Sequence, residues 1–305
     1  MKEIKEINGN SINLEFSISS DLSNVKKIVF CKNCNFLLKF ENLLENAKLI
    51  NFRDPVYSNC YNPFGLFRND TEILEFANKI VDLNPEHGDT ASIQATILSS
   101  IMFYLVKYRP KEEQNFVSIL KMLRASDSHE RHNINDPGHD KTPLERIFDE
   151  VEKRDPCSIA LRQFQISWLM DTKNFDLCVA KLYAWLQFLA LKDNTNAFNI
   201  INEILLDDSI IIVVLPENNL KINMLKELFY FQFGKLERTK SQTLEYYKRN
   251  IYFDNINDVE KEKIIENFDN EFVNFFDLKY EKKEYDPDEY GIVLKKWENS
   301  EKTLL

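Results

Sequence analysis

The sequence feature that most constrains the fold is an uninterrupted apolar run at residues 210–215, made only of isoleucine, valine and leucine. β-Branched residues favour strands, and a strand without polar alternation is typical of a sheet that is covered on both faces. The run therefore predicts a buried strand in an α/β layer. An amphipathic helix is predicted to follow it over residues 219–236.

Further strands of such a layer are predicted near the N-terminus. Residues 28–30 and 48–52 are short apolar runs, and residues 36–44 between them have helical spacing, so the pattern indicates strand, helix, strand. Residues 1–24 are polar apart from an alternating stretch at residues 12–18. We predict an N-terminal extension or an edge strand there.

A long helical block separates these strands from the apolar run at residues 210–215. Pro110 ends one of its helices. Its helix-start signals are Asp70-Thr71, Thr90, the capping box Thr142-Pro143-Leu144-Glu145, and Asp155-Pro156.

The predicted fold class is α+β and predominantly helical: an all-α domain is inserted in a small α/β layer. Residues 25–60 and 196–240 form the split layer, and residues 61–195 form the helical domain. Residues 241–305 form an acidic C-terminal segment with one helix over residues 258–276. Of the net charge of −10, about seven charges fall after Phe253. Because phosphate contacts need Lys and Arg, this charge does not favour direct nucleic-acid binding, which stays an alternative.

Glycine spacing excludes the common nucleotide-binding motifs. A phosphate-binding P-loop needs two glycines five residues apart before a Lys, because only glycine lets the backbone amides wrap the phosphates. The chain has six glycines, and no two of them lie within about twenty residues of each other. A P-loop, a dinucleotide fingerprint and a nucleophile elbow are all absent. We therefore predict no catalytic residues, no cofactor and no enzymatic activity.

Two groups of residues have the composition of weak metal sites. Cys31 and Cys34 have the spacing of half a zinc knuckle or of a redox pair, but no second ligand pair follows. His129, His132 and His139 share a breaker-rich loop with several acids, and their spacing does not match a helical zinc site. We interpret these groups as ordinary thiols and as a solvated polar loop, and predict no metal. A metal-binding protein or enzyme that uses the loop is an alternative.

Basic residues are concentrated near that loop. They form a candidate partner-binding surface for an acidic partner, composed of Lys107, Lys111, Lys121, Arg124 and Arg131.

A series of motifs over about residues 61–170 resembles the type IV secretion coupling proteins, the TraG/TraD conjugation family, and especially its Gram-positive branch. In order, the matching segments are Tyr61-Asn62-Pro63-Phe64, Glu112-Glu113-Gln114-Asn115-Phe116, Pro143-Leu144 with Ile147-Phe148, and Asp155-Pro156 with Ala160, Arg162-Gln163 and Phe164. In that family these segments belong to an all-α domain inserted in a hexameric motor domain. We expect the first segment to be structural, with Tyr61 and Phe64 packing at the domain junction and Pro63 fixing the turn.

The resemblance implies a coupling-protein relative reduced to its helical domain on a RecA-like motor remnant. The segment from Phe30 to Cys34 stands where the family has an Asp-Pro-Lys-Gly-Glu signature, and no Asp-Glu-Phe follows residues 210–233. The resemblance carries over a recognition role, in which the helical domain binds a relaxase, a secreted cargo or the coupling ATPase. A pseudo-ATPase subunit that regulates a coupling-protein motor is an alternative.

The expected location is cytoplasmic, peripheral to a membrane secretion complex. No apolar run approaches the roughly 20 residues that cross a bilayer, and the N-terminus is polar rather than signal-like. The five cysteines form no disulfide pattern, which agrees with a reducing compartment.

Overall fold

Two compact units make up the chain: Met1–Asn59 together with Ile200–Leu305, and Cys60–Asn199. The structure is a computed structural model. It describes residues 4–7, 26–31, 47–59, 62–67, 69–125, 141–170, 174–190, 210–216, 221–222, 224–225, 228, 249–254, 272–276, 291–292 and 294–295.

The first unit contains a six-stranded sheet in the order β1-β6-β5-β2-β4-β3. Every pair of neighbouring strands is parallel. The strands are β1 (Ile4–Ile7), β2 (Lys26–Cys31), β3 (Ala47–Asn51), β4 (Ile210–Val214), β5 (Arg249–Asp254) and β6 (Phe272–Phe276). The strands predicted from the runs at residues 28–30, 48–52 and 210–215 are therefore confirmed as β2, β3 and β4.

Strand β4 is buried on both sides of the sheet, as its composition predicts. Ile211, Ile212, Val213 and Val214 are at most 1% exposed. Because successive side chains of a strand point to opposite faces, four consecutive buried residues mean that both faces are covered. The sulfur of Cys31 lies beside this strand, 3.6 Å from the Val213 carbonyl oxygen.

The C-terminal part of the chain adds two strands that the sequence pattern did not predict. Its predicted helix over residues 258–276 is wrong at residues 272–276, which form β6, and residues 249–254 form β5. Both strands pair with partners far away in sequence, β5 with β2 and β6 with β1. Such pairing is set by tertiary contacts and not by local periodicity.

Other predictions for this unit are tested only in part. An edge strand lies at Ile4–Ile7, while the alternating stretch at residues 12–18 and the helix at residues 36–44 lie outside the described residues. Within residues 219–236 the described positions are helical at 221–222, 224–225 and 228. Ile222, Met224, Leu225 and Leu228 are buried there.

The second unit is helical. Its helices are α1 (Asp70–Asp82), α2 (Ala91–Tyr108), α3 (Phe116–Arg124), α4 (Pro143–Arg154), α5 (Ile159–Met170) and α6 (Phe175–Leu186). Together with the parallel sheet they confirm the predicted fold class, α+β and predominantly helical, with an all-α unit inserted in an α/β layer.

Helix α2 is the centre of the helical unit. It packs against α1, α3, α5 and α6, and 11 of its 18 residues are buried. A helix with apolar residues on all sides is typically surrounded by other helices. The buried Ser99 and Ser100 satisfy their hydroxyls within the helix, at 3.0 Å from the Thr96 carbonyl and 2.7 Å from the Ile97 carbonyl.

The helix starts follow the predicted signals, with two shifts. Thr142 and Glu145 form the predicted capping box of α4. Helix α1 is capped by Asn69, one residue before the predicted signal. Asp155-Pro156 does not begin α5, because Asp155 is the C-cap of α4 and a short turn separates it from Ile159.

Candidate partner-binding surface

Asn62 ties the start of the helical unit to the segment before α3. Its side-chain oxygen accepts a hydrogen bond from the Phe64 amide at 3.1 Å, and its side-chain nitrogen donates to the Gln114 carbonyl at 2.8 Å. Pro63 is the first residue of the 3-10 turn Pro63–Leu66. Tyr61 lies outside the described residues.

Phe64 begins a row of aromatic contacts inside the helical unit. It is 5% exposed and meets Phe67 edge-on at a centroid distance of 5.8 Å. Phe67 contacts Phe76 at 5.1 Å, and Phe76 lies 6.4 Å from Phe116. This row links the Asn62-Pro63-Phe64 segment to α1 and α3.

Lys107, the first residue of the predicted basic surface, is held in an ion pair. Its ammonium nitrogen lies 2.5 Å from Asp155 Oδ2. The Tyr108 hydroxyl lies 2.8 Å from the same oxygen and 2.9 Å from Ser158 Oγ. The end of α2 is thereby joined to the turn between α4 and α5.

The charges of this pair stabilise each other. The hydrogen bond to Asp155 raises the pKa of Lys107 above its usual value. The pKa of Asp155 is lowered, first by the Lys107 hydrogen bond and then by that of Tyr108. Because each charge is matched by its partner, Lys107 adds little net positive potential to the surface.

Arg109, another basic residue nearby, is matched in the same way. The Arg109 guanidinium contacts both carboxylate oxygens of Glu113, at 2.6 and 2.8 Å. Lys111 is exposed and is followed directly by Glu112. Near the end of α2, Lys107 and Arg109 are therefore paired with acidic residues.

The remaining residues of the predicted surface lie farther along the chain. Lys121 and Arg124 are both exposed, one turn apart in the last part of α3. Arg131 lies outside the described residues. The structure therefore places Lys121 and Arg124 on one exposed helix face and pairs Lys107 with Asp155.

An exposed apolar surface on α5 and α6 was not found from the sequence. We call it the α5–α6 surface. Its residues and exposed fractions are Ile166 (46%), Leu169 (80%), Met170 (47%) and Leu177 (51%). Ile166, Leu169 and Met170 are spaced three and four residues apart, so these three lie on one exposed face of α5. Grouped exposed apolar side chains mark interaction sites more often than single ones do.

The apolar residues of α5 lie all round the helix, which explains why the sequence pattern did not separate this surface from the core. Ala160, Leu161 and Phe164 are buried, while Ile166 and Leu169 are exposed. Apolar residues on several faces of a helix predict that the whole helix is buried. The signal that could have found the surface is the number of apolar positions in α5, which exceeds what one buried face needs.

The weak metal candidates gain no support from the described residues. Cys31 is fully buried, whereas Cys34 and the loop at residues 126–140 lie outside the described part. Among the residues that the structure describes, no group of three or more His, Cys, Asp and Glu side chains is placed to hold a metal ion.

The architecture of a parallel sheet with an inserted helical unit is similar to that of a bacterial conjugative coupling protein. The chain matches the coupling protein TrwBdeltaN70 in its unbound monoclinic form with a TM-score of 0.52 and 12% sequence identity, over 90% of this chain and 62% of that one. It matches the trigonal form in complex with sulphate with a TM-score of 0.51 and 11% identity, over 97% and 68% of the two chains.

This likeness shows the fold alone, because the sequence identity is low. The chain spans 62% of the length of the first of these structures. No protein-family model matches the chain, and no curated protein matches it. Within the described residues, no helix has both the length and the apolar character needed to span a bilayer.

Proposed function

We propose that this chain is a non-catalytic accessory protein of conjugative DNA transfer whose helical unit binds a protein partner. The partner classes are the relaxase, a secreted cargo and the coupling ATPase. The observation that carries the proposal is the coupling-protein fold, combined with a sequence whose glycine spacing excludes a P-loop.

The α5–α6 surface supports protein binding over nucleic-acid binding. On the exposed face of α4, Glu150, Glu152, Lys153 and Arg154 are charged, which is typical of a solvated helix. The α5–α6 surface instead consists of four large apolar side chains. Centres of protein interfaces are depleted in charge, whereas nucleic-acid surfaces need dense positive charge.

Helix α3 adds exposed basic residues to the helical unit. It packs against α6, and its exposed Lys121 and Arg124 add positive charge on the same unit. An apolar contact with charged residues at its margin is the usual composition of a protein interface. The proposed partner therefore has an apolar contact surface and acidic residues beside it.

Co-purification tests the proposal directly. The full chain is mixed with the purified relaxase and, separately, with the purified coupling ATPase of the same conjugative system, and each mixture is passed over a size-exclusion column. Co-elution with at least one of them is expected. If the chain elutes alone in both mixtures, the adaptor function is wrong.

A regulatory pseudo-ATPase subunit is a second candidate, and the sheet favours it. In the part of the chain that the structure describes, six parallel strands form one sheet, which is the kind of layer on which a motor-domain relative would be built. A regulator changes the ATP hydrolysis rate of the coupling ATPase at saturating concentration. An adaptor leaves that rate unchanged while it still co-elutes.

A further inference from the structure

Strand β3 lies at the end of the sheet, yet its outer backbone groups are occupied. Its only sheet neighbour in the described part of the chain is β4. The Phe52 amide donates a hydrogen bond to the Val214 carbonyl at 3.0 Å. The backbone N–H and C=O groups of even-numbered residues therefore point toward β4, and those of odd-numbered residues point away from it. The backbone groups of Leu49 and Asn51 thus lie along the outer edge of this apolar strand.

Ser58 and Asn59 cover this outer edge. The Leu49 amide donates to Asn59 Oδ1 at 2.8 Å, and the Asn59 amide donates to the Leu49 carbonyl at 2.7 Å. The Asn51 amide donates to Ser58 Oγ at 2.8 Å. Asn59 therefore provides Leu49 with one donor and one acceptor, which is what a neighbouring strand would provide.

The turn that brings these two residues back is itself fixed by hydrogen bonds. Asn51 Oδ1 accepts from the Arg53 amide at 3.1 Å and from the Asp54 amide at 2.9 Å. The Tyr57 amide then bonds to the Asp54 carbonyl at 3.1 Å. Asn51 and Ser58 are both fully buried, so the turn packs tightly on the strand that it follows.

We propose that Ser58 and Asn59, here called the edge strap, prevent a second copy of this chain from adding a strand to β3. An exposed edge strand offers unpaired amides and carbonyls to any extended segment, and natural sheets protect such edges. Strand β3 is apolar at Leu49 and Ile50, and an uncovered edge on an apolar strand is the kind that pairs with other chains. A second copy of this chain carries the same apolar β3, so two uncovered edges could pair with each other across a two-fold axis.

The edge strap also lies where the chain leaves the first unit. It ends at Asn59, and the helical unit begins at Cys60. The chain must leave the sheet at this point to build the inserted unit, and the exit segment is the same one that closes the edge. The insertion of the helical unit and the protection of the sheet are therefore one structural device.

Substitution of Asn59 by alanine tests the proposal. The change removes the acceptor of the Leu49 amide. Loss of one such hydrogen bond should make hydrogen exchange at that amide up to about tenfold faster. We expect faster hydrogen exchange at Leu49 and, on light scattering across a concentration series, more self-association than wild type shows. Asn59→Asp retains side-chain oxygen acceptors for the Leu49 amide, so it is expected to self-associate less than Asn59→Ala.

A matched control is Asn69→Ala, which removes one side-chain acceptor, that of the Glu72 amide, in the helical unit. This variant is expected to remain as monomeric as wild type. If Asn59→Ala fails to fold, Ser58→Ala is measured in its place, because it removes the acceptor of the Asn51 amide and the donor to the Asn59 carbonyl. Self-association of the strap variant no greater than that of the Asn69→Ala control overturns the proposal, whatever the exchange rate at Leu49.

Discussion

The Tyr108 hydroxyl lies 2.8 Å from Asp155 Oδ2 and joins the last turn of α2 to the residue that caps α4. A phenol has a single hydrogen to donate. With Asp155 as its acceptor, the contact to Ser158 at 2.9 Å is completed by the serine hydroxyl donating back. Three segments of the helical unit therefore meet at one side chain that is 47 residues from its carboxylate partner.

Tyr108→Phe should destabilise the chain without changing its fold. The ring stays, whereas the hydroxyl contacts to Asp155 and Ser158 are lost, and a net hydrogen bond contributes about 1 kcal/mol. Urea unfolding should show this decrease in the free energy of unfolding. The double variant Tyr108→Phe/Asp155→Asn should lose less than the sum of the single changes, and full additivity would show that the two residues are not coupled.

The Asp155 carboxylate should make stability depend on pH in a defined direction. Its pKa is lowered below the ordinary value of 3.8 by Lys107 and Tyr108, so its contribution is fully present above that value. The contribution is lost as the pH falls through the lowered pKa of the folded state. Asp155→Asn should therefore be less stable than wild type at neutral pH, and the difference should shrink in acid; a difference that grows in acid would contradict the assignment.

Phe148 should be among the most sensitive positions of the helical core. Its ring is 1% exposed and stacks on Phe164 at a centroid distance of 4.1 Å. Phe148→Ala leaves a cavity and is expected to cost about 3–5 kcal/mol of unfolding free energy. Val106→Ala, at a site that is 38% exposed, is the control and should cost much less, as measured by urea unfolding.

The capping box of α4 gives a milder prediction. Thr142 Oγ1 accepts from the Glu145 amide at 3.2 Å, and the Thr142 amide donates to Glu145 Oε2 at 2.6 Å. Thr142→Ala should cost about 1 kcal/mol, the usual contribution of such a cap. Thr142→Ser keeps the hydroxyl and should retain most of the stability in the same unfolding assay; an equal loss in both variants would exclude capping as the cause.

Local chemistry made some elements of this chain predictable. The capping box at Thr142 needs only Glu145, three residues later. The run at residues 210–215 favours a buried strand by its composition alone, whichever strands lie beside it. Strand β6 shows the limit. Its apolar residues fit a helical period, and only the distant β1 and β5 make it a strand.

The binding surface shows the same limit. The basic residues can be located in the sequence, but their ion-pair partners cannot. The pairing of Lys107 with Asp155, 48 residues away, could therefore not be predicted. It also displays Leu169 and Leu177 as apolar residues without telling which ones the helix packing leaves exposed. Burial is a property of the assembled helices and not of residue type.

The most direct measurement of the central claim is the affinity of the full chain for the partner that co-elutes with it. Leu169→Ser/Leu177→Ser removes two exposed apolar side chains, and Val56→Ser is the control at a site that is 70% exposed in the other unit. The account predicts that the double variant raises the dissociation constant at least about tenfold, a loss of about 1.4 kcal/mol, while the control binds as wild type. Equal affinities for wild type and the double variant would contradict it.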